Sequence, residues 1–382
     1  MLKRIVICSG GTGGHLFPAC ALWEGLKNNG HCATIMTDQR GDIFCKNIDP
    51  AHKIIFNTVR FSFRRFFSNI FGCLLMSVKL TRLWFRHRPD IIVGFGGFFT
   101  IVPVVIAKFL GAKIVIYEQN AVVGKSNRLL AKIADLRLSN FPIDVSWRQI
   151  PAPVRREFIK DYDIPYHWDS EKIKIVVIGG SQGALSFSHI IPNAMHLLPE
   201  QSRVTLEIVQ QIGSVEALQL KNFLNRNTFF EMAVANCFLS QKSPSCKDIL
   251  EIIYSLLGIR VKICKFIYNI SEEMIDAQLV ICRSGASTLS ELSAIGRPAI
   301  LIPYPNSADN HQLHNAIYYG NKNAAWVLEE NEKIEHNIAQ LINKILENRQ
   351  LLKHTASNMI DKSARNAVAD FVKIIELVNE DA

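Results

Sequence analysis

The stretch Leu2-Lys3-Arg4-Ile5-Val6-Ile7-Cys8-Ser9-Gly10-Gly11-Thr12-Gly13-Gly14-His15 sets the reading of the whole chain. A short β-like run over residues 2–9 stops at a glycine cluster, and residues 17–27 then read as a helix with Ala, Leu and Trp on one apolar face. That is strand, loop, helix. Further strands are expected at residues 31–37, 90–93 and 113–117, each followed by loop and then by helical sequence. Such alternation predicts a parallel sheet with helices on both faces.

Residues 141–170, which carry Pro142, Pro151, Pro153 and Pro165, interrupt this pattern and read as the connection between two domains. The design restarts at residues 173–178, a buried-strand run ending in Gly179-Gly180-Ser181-Gln182-Gly183-Ala184. Residues 279–282 and 299–303 are two more strands that close on loops. The fold class is therefore α/β, with two doubly wound Rossmann-like domains facing across a cleft. Residues 218–247 follow no clear period and read as an insertion or irregular subdomain.

The balance of 48% hydrophobic and 20% charged residues in a chain of 382 excludes disorder over most of its length. The excess of 43 Lys and Arg over 34 Asp and Glu, +9, favours anionic partners: nucleic acid, phosphorylated small molecules or an acidic membrane face. The apolar run at residues 5–8 is shorter than a signal peptide needs. Nine scattered cysteines without a C-x-x-C pair read as reduced thiols rather than a disulfide framework or a zinc site. The longest uncharged apolar-leaning run, residues 66–78, falls short of the roughly 20 residues that span a bilayer.

Glycine loops carry the chemistry. The first lies where a strand meets a helix, so backbone amides and the helix dipole there suit an anion. A dinucleotide fingerprint counted from Gly11 would place its last glycine at Leu16, which weakens a dehydrogenase reading, although Asp38 after the second strand would suit a ribose. A P-loop ending in Gly124-Lys125-Ser126 would need glycine where Gln119 stands, which disfavours a kinase or ATPase. Gly94-Phe95-Gly96-Gly97-Phe98 and residues 179–183 are further glycine loops, each of which alone is also an ordinary tight turn. Arg283-Ser284-Gly285-Ala286-Ser287-Thr288 forms a fourth, with Glu291 one to two turns inside the following helix. There Glu291 either takes paired hydrogen bonds from a ribose diol or is a solvated helix carboxylate.

Taken together, Ser9 to His15, Gly94 to Phe98, Glu118-Gln119-Asn120-Ala121, Pro153-Val154-Arg155, the 179–184 loop, Cys282 to Ala286 with Thr288 and Glu291, and residues 309–316 resemble the bacterial N-acetylglucosaminyltransferases that make lipid II from lipid I in peptidoglycan synthesis. The resemblance covers nearly the whole chain. It implies a metal-independent, inverting enzyme of the glycosyltransferase-B fold that needs no cofactor. Residues 1–156, joined by a C-terminal helix at 363–382, would be the acceptor and membrane-binding domain. Residues 157–362 would bind the UDP-sugar.

By motif position the resemblance assigns the diphosphate of UDP-N-acetylglucosamine to Ser181 and to the amides of Ala286, Ser287 and Thr288. It assigns the ribose to Glu291 and the uracil to Ile267 and Arg155. Thr12, Gly13, Gly14, Asn120 and Gln312 would border the sugar, and Gly13, Gly14, Gly96 and Gly97 would receive the acceptor pyrophosphate. Two departures stand out: residues 213–266 are longer than the family pattern, and His311 stands where a second glutamine is common.

His15 is the candidate general base, since an imidazole can accept a proton near neutrality; capping of the helix is the alternative role. His311 and His314 with Asp309 make at most half a zinc site, so no metal is expected. Residues 60–88 hold Arg60, Arg64, Arg65, Lys79, Arg82, Arg86 and Arg88 and no acid, interleaved with Phe66, Phe67, Ile70, Leu74 and Trp84 among other apolar residues. This pattern fits a helix lying on anionic lipid, or a core helix with a basic outer face. The lipid-linked acceptor implied by the resemblance favours the first, at the cytoplasmic face of the membrane. No nucleic-acid recognition motif accompanies the charge.

Overall fold

The computed structural model describes residues 2–56, 66–159, 165–179, 185–212, 238–239, 251–256, 258–264 and 267–378. They form two compact units, Met1–Ile159 with Lys362–Ala382, and Lys160–Asp361.

The first unit is built on a seven-stranded sheet in the order β3-β2-β1-β4-β5-β6-β7. Its strands are β1 (Arg4–Cys8), β2 (Cys32–Asp38), β3 (Lys53–Phe56), β4 (Ile91–Gly94), β5 (Lys113–Glu118), β6 (Leu136–Ser139) and β7 (Arg148–Gln149). All neighbours pair in parallel. Because side chains alternate across a strand, Ile5 and Ile7 of β1 enter one core cluster while Val6 and Cys8 enter the other. Both faces are thus covered, as a parallel sheet requires. One cluster takes in α1 (Gly13–Asn28) and the C-terminal helix Lys362–Leu377, whose Phe371 is fully buried and stacks near Phe95 and Tyr117. Gly25 of α1 sits against Val368, so close that a Cβ there would collide with it. The other cluster takes in α2 (Phe66–Arg86) and α3 (Ile101–Phe109).

The order reverses between β1 and β4: β2 lies on one side of β1 and β4 on the other. A doubly wound sheet opens a crevice beyond the carboxyl ends of its strands at such a switch point. The loops after β1 and β4, which carry the first two glycine clusters, both start there.

The second unit has an eight-stranded sheet in the order β10-β11-β12-β9-β8-β13-β14-β15. Its strands are β8 (Ile173–Ile178), β9 (Leu206–Gln211), β10 (Phe238–Leu239), β11 (Glu251–Leu256), β12 (Ile259–Cys264), β13 (Leu279–Cys282), β14 (Ala299–Leu301) and β15 (Ala325–Val327). The switch point lies between β8 and β13, and the loop after β13 opens a helix there. β10 and β11 depart from the expected all-parallel design, since each pairs antiparallel with its neighbour at the sheet edge. Gly258, with φ +89°, takes the left-handed conformation that a tight turn between Leu256 and Ile259 demands. Most of the expected 218–247 insertion lies outside the described residues; its Phe238–Leu239 is a strand on this added edge.

Candidate functional site

In the first unit the two glycine loops meet. Gly10 N donates to Gly96 O at 2.9 Å, and Gly96 and Gly97 have φ of +90° and +86°. A Cβ on Gly97 would lie 2.9 Å from Gly10 Cα, so the approach depends on glycine. Helix α1 starts at Gly13, four residues earlier than the sequence pattern suggests: Thr12 is extended (φ −115°, ψ 146°) at its N-cap, and Pro18 lies inside the helix rather than at its start. Gly13, Gly14 and His15 therefore form its first turn. That turn carries no acidic residue, so no carboxylate of its own offsets the positive end of the helix dipole. Gly13, Gly14, Gly96 and Gly97 thus belong to one constellation at the switch point.

His15 is half-buried in that turn, and its Nδ1 lies 2.8 Å from Gln119 Oε1. Gln119 is almost fully buried, and its Nε2 donates to Phe95 O at 2.9 Å. Next to it the buried Glu118 carboxylate accepts from Asn120 N (3.0 Å) and Asn120 Nδ2 (3.1 Å) on one oxygen. Its other oxygen accepts from Gly124 N (3.0 Å) and Asn127 Nδ2 (2.9 Å). These four bonds to a charged acceptor clamp the loop that carries Asn120 and Gln119. Sequence reasoning gave Gln119 no role, and its signal lay in its place directly after a strand that neighbours β4.

The carboxylate once considered for a dinucleotide ribose is already engaged. Asp38 is buried and accepts Arg40 N at 2.9 Å and Arg40 Nε at 3.2 Å on each oxygen. A Cβ on Gly11 would fall 2.0 Å from its Oδ1, which leaves no room for a hydroxyl.

In the second unit Ser284 follows β13 and is fully buried, its hydroxyl donating to Gln312 O at 2.7 Å. Asn315 Nδ2 donates to Ser284 O at 3.1 Å. The loop before the helix Ala286–Ile295 is thereby tied to the helix His311–Asn321. Ala286, Ser287 and Thr288 form the first turn of the former, which has no acidic residue, and Glu291 is a turn further on and 6% exposed rather than solvated. Gln312 Oε1 accepts Tyr304 N at 3.0 Å, so its Nε2 faces the other way. Asp309 and Asn310, with φ of 50° and 52°, turn the chain sharply into the helix that carries Gln312. Arg283 braces the same region: it donates to Ile302 O, Pro303 O and Ser186 Oγ, pairs with Glu330 at 2.5 Å, and stacks on Phe187.

Ile267 is buried in this unit, whereas Arg155 belongs to the first, held over the Phe17 and Phe158 rings and paired with Glu157 at 3.2 Å. Ser181, Arg64 and Arg65 lie outside the described residues, as do the side chains of Phe66, Phe67 and Ile70. Trp84 corrects an expectation. It is 2% exposed in the first unit's core, one and two turns after the buried Leu80 and Met76, and does not face lipid. The outer face of α2 instead presents Leu74, Leu75, Val78 and Phe85 with Lys79, Arg82 and Arg86, and Phe109 at the end of α3 is 86% exposed. Among the described residues no helix is long and apolar enough to cross a membrane.

Two family models cover these units: the glycosyltransferase family 28 N-terminal domain matches residues 5–137, and the family's C-terminal domain matches residues 174–374. The chain belongs to glycosyltransferase family 28. It is therefore a glycosyltransferase, which removes the oxidoreductase alternative. Among curated relatives, this family 28 chain is similar to UDP-N-acetylglucosamine--N-acetylmuramyl-(pentapeptide) pyrophosphoryl-undecaprenol N-acetylglucosamine transferase of Bartonella tribocorum, with 33% identity over 89% of this chain and 84% of that protein. The protein of the same name from Rickettsia bellii is 31% identical over 94% and 96%. The crystal structure of Acinetobacter baumannii MurG shares the fold, with a TM-score of 0.71 at 22% identity over 98% of this chain and 99% of that one. So does the S. aureus MnaA-UDP co-structure, with a TM-score of 0.63 at 11% identity over 99% and 98%.

Proposed function

We propose that this family 28 enzyme transfers N-acetylglucosamine from UDP-N-acetylglucosamine to undecaprenyl-pyrophosphoryl-N-acetylmuramoyl-pentapeptide, with inversion, in peptidoglycan synthesis. The names of its relatives support the substrates, and the meeting of two glycine loops at the helix turn that carries His15 supports the chemistry. An acceptor hydroxyl oxygen attacks the anomeric carbon, its proton passes to His15, and the bond to the diphosphate breaks so that UDP leaves with the electron pair. The amides of Ala286 to Thr288, with Ser181, hold that growing charge without a divalent cation. In the second unit Glu291 takes the ribose, Ile267 flanks the uracil and Gln312 offers Nε2 to the sugar. Gly13, Gly14, Gly96 and Gly97 receive the acceptor pyrophosphate.

The apolar and basic outer face of α2, with Phe85 and Phe109, rests on an anionic bilayer at the cytoplasmic side and brings the enzyme to its lipid substrate. UDP release measured with and without the lipid acceptor tests the reaction: release must depend on the acceptor, and acceptor-independent or absent release would refute it. His15→Ala is expected to cut turnover by about 10²–10⁴-fold with donor binding nearly unchanged. Binding to acidic vesicles must weaken with salt and fall when Phe85 and Phe109 are both replaced by serine; indifference to lipid charge would defeat the membrane role.

A further inference from the structure

We propose that Gln119 is a positioning residue that fixes the tautomer of His15, so that the proton sits on Nδ1 and the lone pair is on Nε2. The inference rests on the reading of His15 as general base and adds which of its two nitrogens does the work and what selects it.

The geometry assigns each hydrogen in turn. Phe95 O is a carbonyl and can only accept, so the Gln119 group 2.9 Å from it must be the amide nitrogen. The amide oxygen then faces His15 Nδ1 at 2.8 Å, and because it too can only accept, Nδ1 must carry the hydrogen. A neutral imidazole with hydrogen on Nδ1 has its lone pair on Nε2.

The amide has no freedom to reverse. Gln119 is 1% exposed, and a flipped amide would set its oxygen against Phe95 O and its nitrogen against the imidazole. The chain beside it is held by the adjoining Glu118 carboxylate, which accepts four hydrogen bonds from Asn120, Gly124 and Asn127, and its partner Phe95 follows β4, the neighbour of β5 in the sheet. The relay thus runs from one sheet strand to the next and ends on the first turn of α1. Glutamine also differs from a carboxylate in this position: it selects the tautomer without a charge that would favour the imidazolium. The base is oriented yet stays able to take a proton from a hydroxyl.

The test reads the tautomer directly. Two-bond proton–nitrogen correlation spectra of the ¹⁵N-histidine-labelled full chain, above the titration range of the imidazole, distinguish the two forms, with the His15 signals identified by their loss in His15→Ala. Wild type must show hydrogen on Nδ1. Gln119→Met must move His15 toward the Nε2-protonated form and lower kcat by about 10–100-fold, a part of what a positioned general base contributes, while KM for UDP-N-acetylglucosamine stays within about twofold. Hydrogen on Nε2 in wild type overturns the proposal whether or not the variant folds, and leaves His15 a candidate base. Wild-type turnover in His15→Ala instead overturns the base reading, and the positioning role falls with it.

Discussion

Replacing Gly97 with alanine tests whether the two glycine loops of the first unit form one built structure. Gly97 has φ 86° and ψ 150°, a region essentially reserved for glycine, and forcing a side chain there costs about 1–3 kcal/mol. The new Cβ would also stand 2.9 Å from Gly10 Cα and 3.2 Å from Gly10 N. Those are backbone atoms that no rotamer change can move aside, and overpacking of this kind costs about 1–3 kcal/mol more. The sum, about 2–6 kcal/mol, is a large share of the 5–15 kcal/mol that stabilises an ordinary domain.

With a urea slope of about 2 kcal/mol/M, the midpoint of the first unit's transition should fall by about 1–3 M. Urea titration followed by tryptophan fluorescence measures the shift, and peptide-resolved hydrogen exchange across the 91–112 segment assigns it to this unit. Gly14→Ala is the matched control. Gly14 lies in the first turn of α1, a Cβ there would meet nothing within 4 Å, and alanine favours helix over glycine by up to about 1 kcal/mol. Its stability should be unchanged or slightly raised. Equal stabilities for Gly97→Ala and wild type, or an equal loss in the two variants, would refute the close approach of the loops.

Burial pushes the Cys8 thiol well above its ordinary value, and burial, partly opposed by Arg283, pushes Cys282 up to about 12. Both should resist iodoacetamide at pH 7.5 in the folded chain while the exposed Cys32 reacts, as read by peptide mass spectrometry; early labelling of Cys282 would contradict the packing of β13. Asp135 has its carboxyl held below the ordinary range: burial raises it, but donation from Ile114 N at 2.7 Å and from Lys108 outweighs that. A depressed folded value contributes stability above the unfolded value of about 4, and the contribution is lost as pH falls through the folded value. Asp135→Asn should therefore melt below wild type at pH 7, with the gap closing at pH 3; a gap independent of pH would exclude the carboxylate as its source.

Much of the architecture was legible because it follows from local patterning. The strands at residues 173–178 and 279–282 stand where the apolar runs place them, and glycine clusters mark the ends of the strands that flank each switch point. The start of α1 differs from the sequence pattern because glycine is a poor helix former; the extended Thr12 and tertiary packing overrode propensity. The antiparallel edge of the second sheet was not legible, since strand direction depends on which neighbour a segment meets. The same limit explains Trp84. An interleaved run of cations and aromatics has no inside until α2 meets the sheet, and that contact buries Met76, Leu80 and Trp84 and leaves Leu75, Val78 and Phe85 outside.

By itself the sequence determined the repeating strand-loop-helix order and the ordered motifs that mark the family, because periodicity and glycine are local properties of the chain. Tertiary structure alone decided which side chains meet. Gly10 lies against Gly97 across 87 positions, and Gln119 reaches both Phe95 and His15, because β1, β4 and β5 are neighbours in a sheet whose order differs from the order of the chain. A hydrogen bond depends on distances of a few ångströms, and those are set by the strand order of the folded sheet rather than by spacing along the chain.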